Sequence, residues 1–152
     1  MNFRSLALAT VVAFVLTACA GATSKQVRPV ADDKGLSAEE IVARNATARW
    51  EAILAKDFRT AYGYLTSGTR AITTPEAYVK RMLGATIRWT GAKVESVECN
   101  EPDVCRAAVY ITYMVRGAQA GMGEIEGGNP VFEQWIRGDD GRWYHLPGKT
   151  GG

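Results

Sequence analysis

Ser37-Ala38-Glu39-Glu40-Ile41-Val42-Ala43-Arg44-Asn45-Ala46-Thr47-Ala48-Arg49-Trp50-Glu51-Ala52-Ile53-Leu54-Ala55-Lys56-Asp57-Phe58 is the stretch whose reading decides the fold. Ser37 and Glu40 stand at capping-box spacing, and Leu36 with Ile41 are placed as the hydrophobic staple around them. Val42, Ala46, Trp50, Ile53 and Leu54 then recur at helical spacing, so one amphipathic helix is expected from Ser37 to about Lys56. Asp57 is the natural N-cap of a second, short helix with Phe58, Ala61, Tyr62 and Leu65 on one face, ended by Ser67 and Gly68. A third helix is expected between Thr74-Pro75-Glu76, which supplies a cap, a first-position proline and an acid, and Gly84, with Tyr78, Val79, Met82 and Leu83 as its buried side.

From Ile87 onward the helical period gives way to β-branched and aromatic runs. Val94 and Val97 fall on opposite faces of a regular strand, and a bulge between them would turn both inward. Val104 to Arg116 is the longest strand, with Val109, Ile111, Tyr113 and Val115 on one face and Tyr110, Thr112 and Met114 on the other. Two apolar faces mark it as central. Val131 to Arg137 and Arg142 to Leu146 are joined by the hairpin signal Gly138-Asp139-Asp140-Gly141. Gly117 to Pro130 holds five glycines and reads as a flexible hairpin loop that could include strand extensions, or, more sharply, as a mobile rim over a pocket. Helices first and antiparallel strands after give an α+β domain, three N-terminal helices packed on a curved antiparallel sheet.

The N-terminus has a different character. Arg4 is the only charged side chain in the first 24 residues, and it precedes an uncharged apolar run from Ser5 to Ala18, the layout of a secretory signal. The run is short for a permanent membrane span, which needs about 20 residues. It ends in Leu16-Thr17-Ala18-Cys19, which resembles the bacterial lipobox. That resemblance implies cleavage before Cys19 and lipidation of its thiol, with two or three acyl chains holding the protein on a membrane. Ala20 stands where such lipoproteins carry an inner-membrane retention aspartate, so the expected location is the outer membrane, periplasm-facing or surface-exposed. The expected organisation is a signal peptide over 1–18, a lipidated N-terminus and flexible tether over 19–36, one folded domain over 37–147 and a tail over 148–152.

Three cysteines are an odd count for an exported chain, and lipidation of Cys19 leaves a pair. Cys99 and Cys105 flank Asn-Glu-Pro-Asp-Val between two β-rich runs, so a hairpin would bring them together as a structural disulfide in an oxidising compartment. Five intervening residues in a turn do not make a redox motif. With one histidine, His145, and no second cysteine pair, a zinc site is not expected, nor is any other metal or cofactor. Composition argues the same way about partners. The 152 residues are 47% hydrophobic and 22% charged, with 18 Lys+Arg against 16 Asp+Glu interspersed along the chain. That is an ordinary globular balance without the basic run that nucleic acid or an anionic membrane surface would call for.

The segments Trp50-Glu51-Ala52-Ile53-Leu54-Ala55-Lys56-Asp57-Phe58, Ala61-Tyr62-Gly63-Tyr64-Leu65 and Thr74-Pro75-Glu76-Ala77-Tyr78, with the terminal strands around Trp135 and Gly141-Arg142-Trp143-Tyr144, resemble the nuclear transport factor two-like (cystatin-like, SnoaL-like) superfamily. The likeness runs from about Ser37 to Leu146. It implies a cone-shaped domain, a fold shared by ketosteroid isomerase, scytalone dehydratase, SnoaL-type cyclases and many binding modules. It also implies a pocket between helices and sheet, for which the candidate residues are Trp50, Tyr62, Tyr78, Tyr110, Glu133 and Trp135.

Enzymes of this superfamily use a carboxylate or histidine with a polarising tyrosine or acid in that pocket. Asp57 and Glu133 are the carboxylates on offer, with Tyr62, Tyr78, Tyr110 and Tyr113 as phenols, and none forms a spacing diagnostic of one reaction. Glu133 is the better catalytic candidate, since it alternates with Val131 and Trp135 on a sheet face, whereas Asp57 reads as a helix cap. His145 reads as a surface or hydrogen-bonded histidine, and the Asn45-Ala46-Thr47 sequon inside the first helix as chance. The expectation is therefore a membrane-anchored envelope lipoprotein with a non-catalytic domain that binds a protein partner or small apolar ligand. The alternative is a small acid/base enzyme of the isomerase, dehydratase or epoxide-hydrolase type.

Overall fold

Ser37 opens the helical layer as its spacing predicts: the Glu40 amide donates to the Ser37 hydroxyl at 3.2 Å and the Ser37 amide to the Glu40 carboxylate at 2.7 Å. The computed structural model describes residues 33–116 and 123–148. The signal peptide, Cys19 with its lipobox, most of the tether and the last four residues lie outside the described residues. Four helices, α1 (Ala38–Leu54), α2 (Phe58–Gly63), α3 (Ser67–Ile72) and α4 (Pro75–Leu83), precede four strands, β1 (Ile87–Glu101), β2 (Val104–Arg116), β3 (Glu124–Arg137) and β4 (Trp143–Leu146). The strands form one antiparallel sheet in the order β1-β2-β3-β4. The α+β class, helices first and sheet after, is as the sequence implies. Among the described residues no helix is long and apolar enough to cross a membrane.

The second helix departs from expectation. It ends at Gly63, and Ser67-Gly68 begin α3 behind a Thr66 cap instead of closing the preceding helix. The cause is tertiary. The Tyr64 carbonyl accepts from the His145 amide at 2.7 Å, and the Thr66 amide donates to the His145 carbonyl at 3.1 Å. Leu65 is thereby pulled into a parallel bridge on the outer edge of β4, and the helix cannot continue through it. In α4, Thr74 caps, Pro75 and Glu76 begin and Gly84 closes the helix as expected, and Tyr78 is buried, but Leu83 is 66% exposed and not part of its packed side.

The strand pattern holds more closely. A register shift between Val94 and Ser96 lets both Val94 and Val97 pack on the core, facing Val109 and Ala107 of β2. β2 is central, with Cys105, Ala107, Val109 and Ile111 buried on its helix-facing side. β3 begins at Glu124, seven residues before the expected Val131, so the second half of the glycine-rich connection is strand. Its glycines explain how. Gly127 sits opposite Tyr113, and a Cβ there would meet the Tyr113 ring at 2.7 Å, while one at Gly128 would meet the Tyr110 hydroxyl at 2.7 Å. The two tyrosines cover these bare backbone positions from opposite faces. Residues 117–122, the rest of the connection, lie outside the described residues.

At the other end of the β1–β2 hairpin, Pro102-Asp103 make the turn and Cys99 is disulfide-bonded to Cys105. Cys105 is fully buried opposite Trp135, so the bridge ties the hairpin end to the core. Loop closure over six positions stabilises by about 2 kcal/mol in the chain-entropy model. The double variant Cys99→Ala/Cys105→Ala should therefore unfold at lower urea concentration by about that free energy while keeping its far-ultraviolet circular dichroism; an unchanged midpoint would deny the bond a structural role.

Candidate functional site

The helix-facing side of the sheet and the inner stripe of α1 meet in a core that is apolar except at one place. Val42, Ala46, Trp50 and Ile53 face the sheet from α1, and Asn45 and Arg49, which fall within the same stripe, are buried with them. From the sheet, register puts Glu133 beside Ala107, Trp135 beside Cys105, and His145 beside Trp135. Glu133 is the one buried carboxylate among the described residues.

Both oxygens of its carboxylate accept hydrogen bonds. Arg49 Nη1 donates to Oε1 at 2.7 Å, the Trp50 indole Nε1 donates to the same oxygen at 2.8 Å, and the Trp135 Nε1 donates to Oε2 at 3.2 Å. Arg49 and Glu133 form an ion pair with side chains 9% and 6% exposed. Beyond it, Trp135 stacks at a tilt on His145 with ring centroids 5.7 Å apart and meets Tyr64 edge-on at 6.4 Å. Trp50 meets Trp89 edge-on at 6.4 Å.

His145 is a correction to the expected surface or hydrogen-bonded histidine. It is buried, its Nδ1 has no hydrogen-bond partner, and desolvation, helped by the Arg49 charge, pushes its pKa down to about 2. It is a neutral ring in the core. Arg49 Nε and the Tyr78 hydroxyl are likewise buried without a partner.

Of the six candidate pocket residues, Trp50, Glu133 and Trp135 come together. Tyr62 and Tyr78 pack on each other at 5.7 Å, with the Tyr62 hydroxyl donating to the Thr73 carbonyl at 2.8 Å. Tyr110 does not join them: strand alternation turns it to the opposite face of the sheet, where it is 41% exposed. Asp57 is a cap, accepting from the Thr60 hydroxyl at 2.6 Å and its amide at 3.1 Å, and those bonds hold its pKa below the usual carboxylate range.

Arg49 and His145 are the members of this cluster that sequence reasoning missed, and it also passed over the buried Asn45 on α1. The signal for two of them was present, since Asn45 and Arg49 occupy positions of the α1 stripe that an apolar residue would normally fill. A tyrosine–carboxylate bond, Tyr144 to Asp140 at 2.6 Å, lies on the exposed β3–β4 turn and not in the core. There, Asp140 is held low mainly by that hydrogen bond, and Tyr144 is raised by desolvation and then by the same bond. No group of three or more His, Cys, Asp or Glu side chains among the described residues is placed to hold a metal ion.

Among the described residues, no helix covers the opposite face of the sheet. Phe132 is 60% exposed there, and beside the β1–β2 turn lies a cleft of about 330 Å³ lined by Glu98, Glu101, Arg106, Phe132 and Gln134, among others.

No family model matches the chain, and no curated protein is similar to it in sequence. Solved structures are similar in fold. A ketosteroid isomerase-like protein from Erwinia carotovora atroseptica superposes with a TM-score of 0.52 at 12% identity, over 72% of this chain and 92% of that one. A SEC-C motif containing protein from Rhodopseudomonas palustris gives 0.52 at 15% identity over 71% and 77% of the two chains. Another SEC-C motif containing protein, from Psychrobacter arcticus, gives 0.55 at 9% identity over 75% and 63%. The arrangement of N-terminal helices on a four-stranded antiparallel sheet is that of ketosteroid isomerase-like, nuclear transport factor two-like structures. At these identities the likeness extends to the fold and no further.

Proposed function

We propose that this chain is an envelope lipoprotein, anchored in the outer membrane through Cys19, whose domain is a non-catalytic docking module with a protein partner on the open face of its sheet. The observation that carries the non-catalytic part is the engagement of Glu133. Its two oxygens accept from Arg49, Trp50 and Trp135, so taking a proton from a substrate would require breaking a buried ion pair. The acid/base alternative needs a carboxylate within hydrogen-bond reach of a tyrosine inside the cone, and Glu133 has no such partner among its hydrogen bonds. The same closure counts against a small apolar ligand held between helices and sheet, because the Trp50 and Trp135 indoles are turned onto Glu133 there and Trp89 packs edge-on against Trp50. What is left for recognition is the other face, where Phe132, Tyr110 and Leu146 are exposed.

The lipobox Leu16-Thr17-Ala18-Cys19 supports the anchor, Ala20 supports the outer membrane, and the Cys99–Cys105 disulfide is in keeping with an exported domain. Mass spectrometry of the membrane fraction should find acylated Cys19 as the N-terminal residue. Cys19→Ala should move the protein from the membrane to the soluble fraction; an unmodified Cys19 in the mature protein would remove the anchor.

A further inference from the structure

On the sheet face turned away from the helices, register sets Glu98 directly opposite Arg106, and Arg106 opposite Gln134, with Phe132 one pair further along β3. Opposite charges facing each other across two strands ordinarily pair, for about 0.2–1 kcal/mol. Here they do not. The Arg106 guanidinium lies over the Phe132 ring, 4.0 Å from its centroid, and neither Glu98 nor Glu101 makes an ion pair among the described residues. Glu98 and Glu101 instead line the cleft of about 330 Å³, together with Asn100, Gln134 and Arg106 itself.

We propose that this cleft receives a lysine or arginine side chain presented by an extended segment of a partner protein lying across the open sheet face. The proposal rests on the docking reading above and names the chemistry of the partner. Glu98 and Glu101 supply two unneutralised acceptors, and the amide oxygens of Asn100 and Gln134 can complete a donor-rich cation's hydrogen bonds. The side chains present select against a metal ion, since the described residues hold no group of three ligating side chains. A volume of about 330 Å³ has room for one long basic side chain. Phe132, stiffened by Arg106 stacked on it, and Tyr110 one pair further supply the aromatic and arginine anchors typical of protein interfaces. Arg106 thereby serves the wall of the cleft and leaves the carboxylates to the partner.

The probe is a fluorescein-labelled Val-Arg-Val-Arg-Val peptide, titrated by fluorescence anisotropy into the full chain in detergent, alongside counterparts with Gln or Glu in place of Arg. The arginine peptide should bind at least tenfold more tightly than either counterpart. Glu98→Gln/Glu101→Gln should lose that preference, and both substitutions are on exposed positions that leave the core untouched. Equal binding of the three peptides, unchanged binding by the double variant, or no binding of the arginine peptide would each overturn the proposal. A photo-crosslinking residue in place of Tyr110, used in cells, separates the two readings. Protein adducts that persist in Glu98→Gln/Glu101→Gln leave the docking face standing without its cation cleft; absence of adducts together with absence of peptide binding removes both.

Discussion

Glu133→Ala should destabilise the domain by about 3–5 kcal/mol, the cost of stranding a buried charge whose partner has been removed. The loss has three parts. The Arg49 guanidinium keeps its charge at 9% exposure with no carboxylate to meet it, and the indole N–H groups of Trp50 and Trp135 lose the carboxylate that accepts from them. Since small domains unfold for about 5–15 kcal/mol in all, much of the population would be unfolded at modest urea concentrations. Glu133→Gln should cost less, because its amide oxygen still accepts from one of the two indoles while the charge and the other acceptor are lost. Adding Arg49→Met to Glu133→Gln should recover part of that cost, as the uncompensated cation is then gone too. Urea titrations followed by indole fluorescence would measure all four proteins. A Glu133→Ala variant within about 1 kcal/mol of the parent would mean that the ion pair is not buried as described.

Why part of this cluster and some element ends escaped sequence reading, when most of the fold did not, has a physical explanation. Helix starts, the β1 bulge and the β3–β4 turn are written in neighbouring residues: Ser37 with Glu40, Val94 with Val97, and Gly138 with Gly141, whose φ of 76° suits glycine. Local chemistry decides them, so local reading finds them. The end of α2 and the start of α3 are decided by the backbone of His145, some eighty positions away in the chain, and no spacing near Leu65 records that. The start of β3 is similar: five glycines read as a loop until the Tyr113 and Tyr110 rings are seen to cover two of them.

Among the site residues, Glu133 and Trp135 were legible from alternation and Trp50 from helical period, because each lies on the face its pattern implies. Tyr110 illustrates the limit, since a strand with two apolar faces does not say which one the helices will cover. Arg49 and His145 were passed over because charge and polarity argue for the surface, and only a partner such as Glu133 reverses that argument.

Acidification provides the second large effect, and it reports on His145 alone over a useful window. Its folded pKa is pushed down to about 2 from 6.5 by burial and by Arg49, so between those values the unfolded chain binds a proton that the folded one refuses. Stability therefore rises with pH across that interval and is lost as pH falls below 6.5, at up to about 1.4 kcal/mol per unit. From pH 7.5 to pH 5 the domain should lose about 2 kcal/mol. The chain has a single histidine, and the depressed carboxylates Asp57 and Asp140 titrate below this range, so no other side chain mimics the slope. His145→Phe should flatten the profile between pH 5 and 7 whatever it does to the stability itself, because the β4 backbone bonds to Tyr64 and Thr66 do not depend on the ring. Urea midpoints at half-unit pH steps would decide it: a flat parent profile over that range would show that His145 takes up its proton in the folded protein, and so is not the enclosed neutral ring that packs beside Trp135.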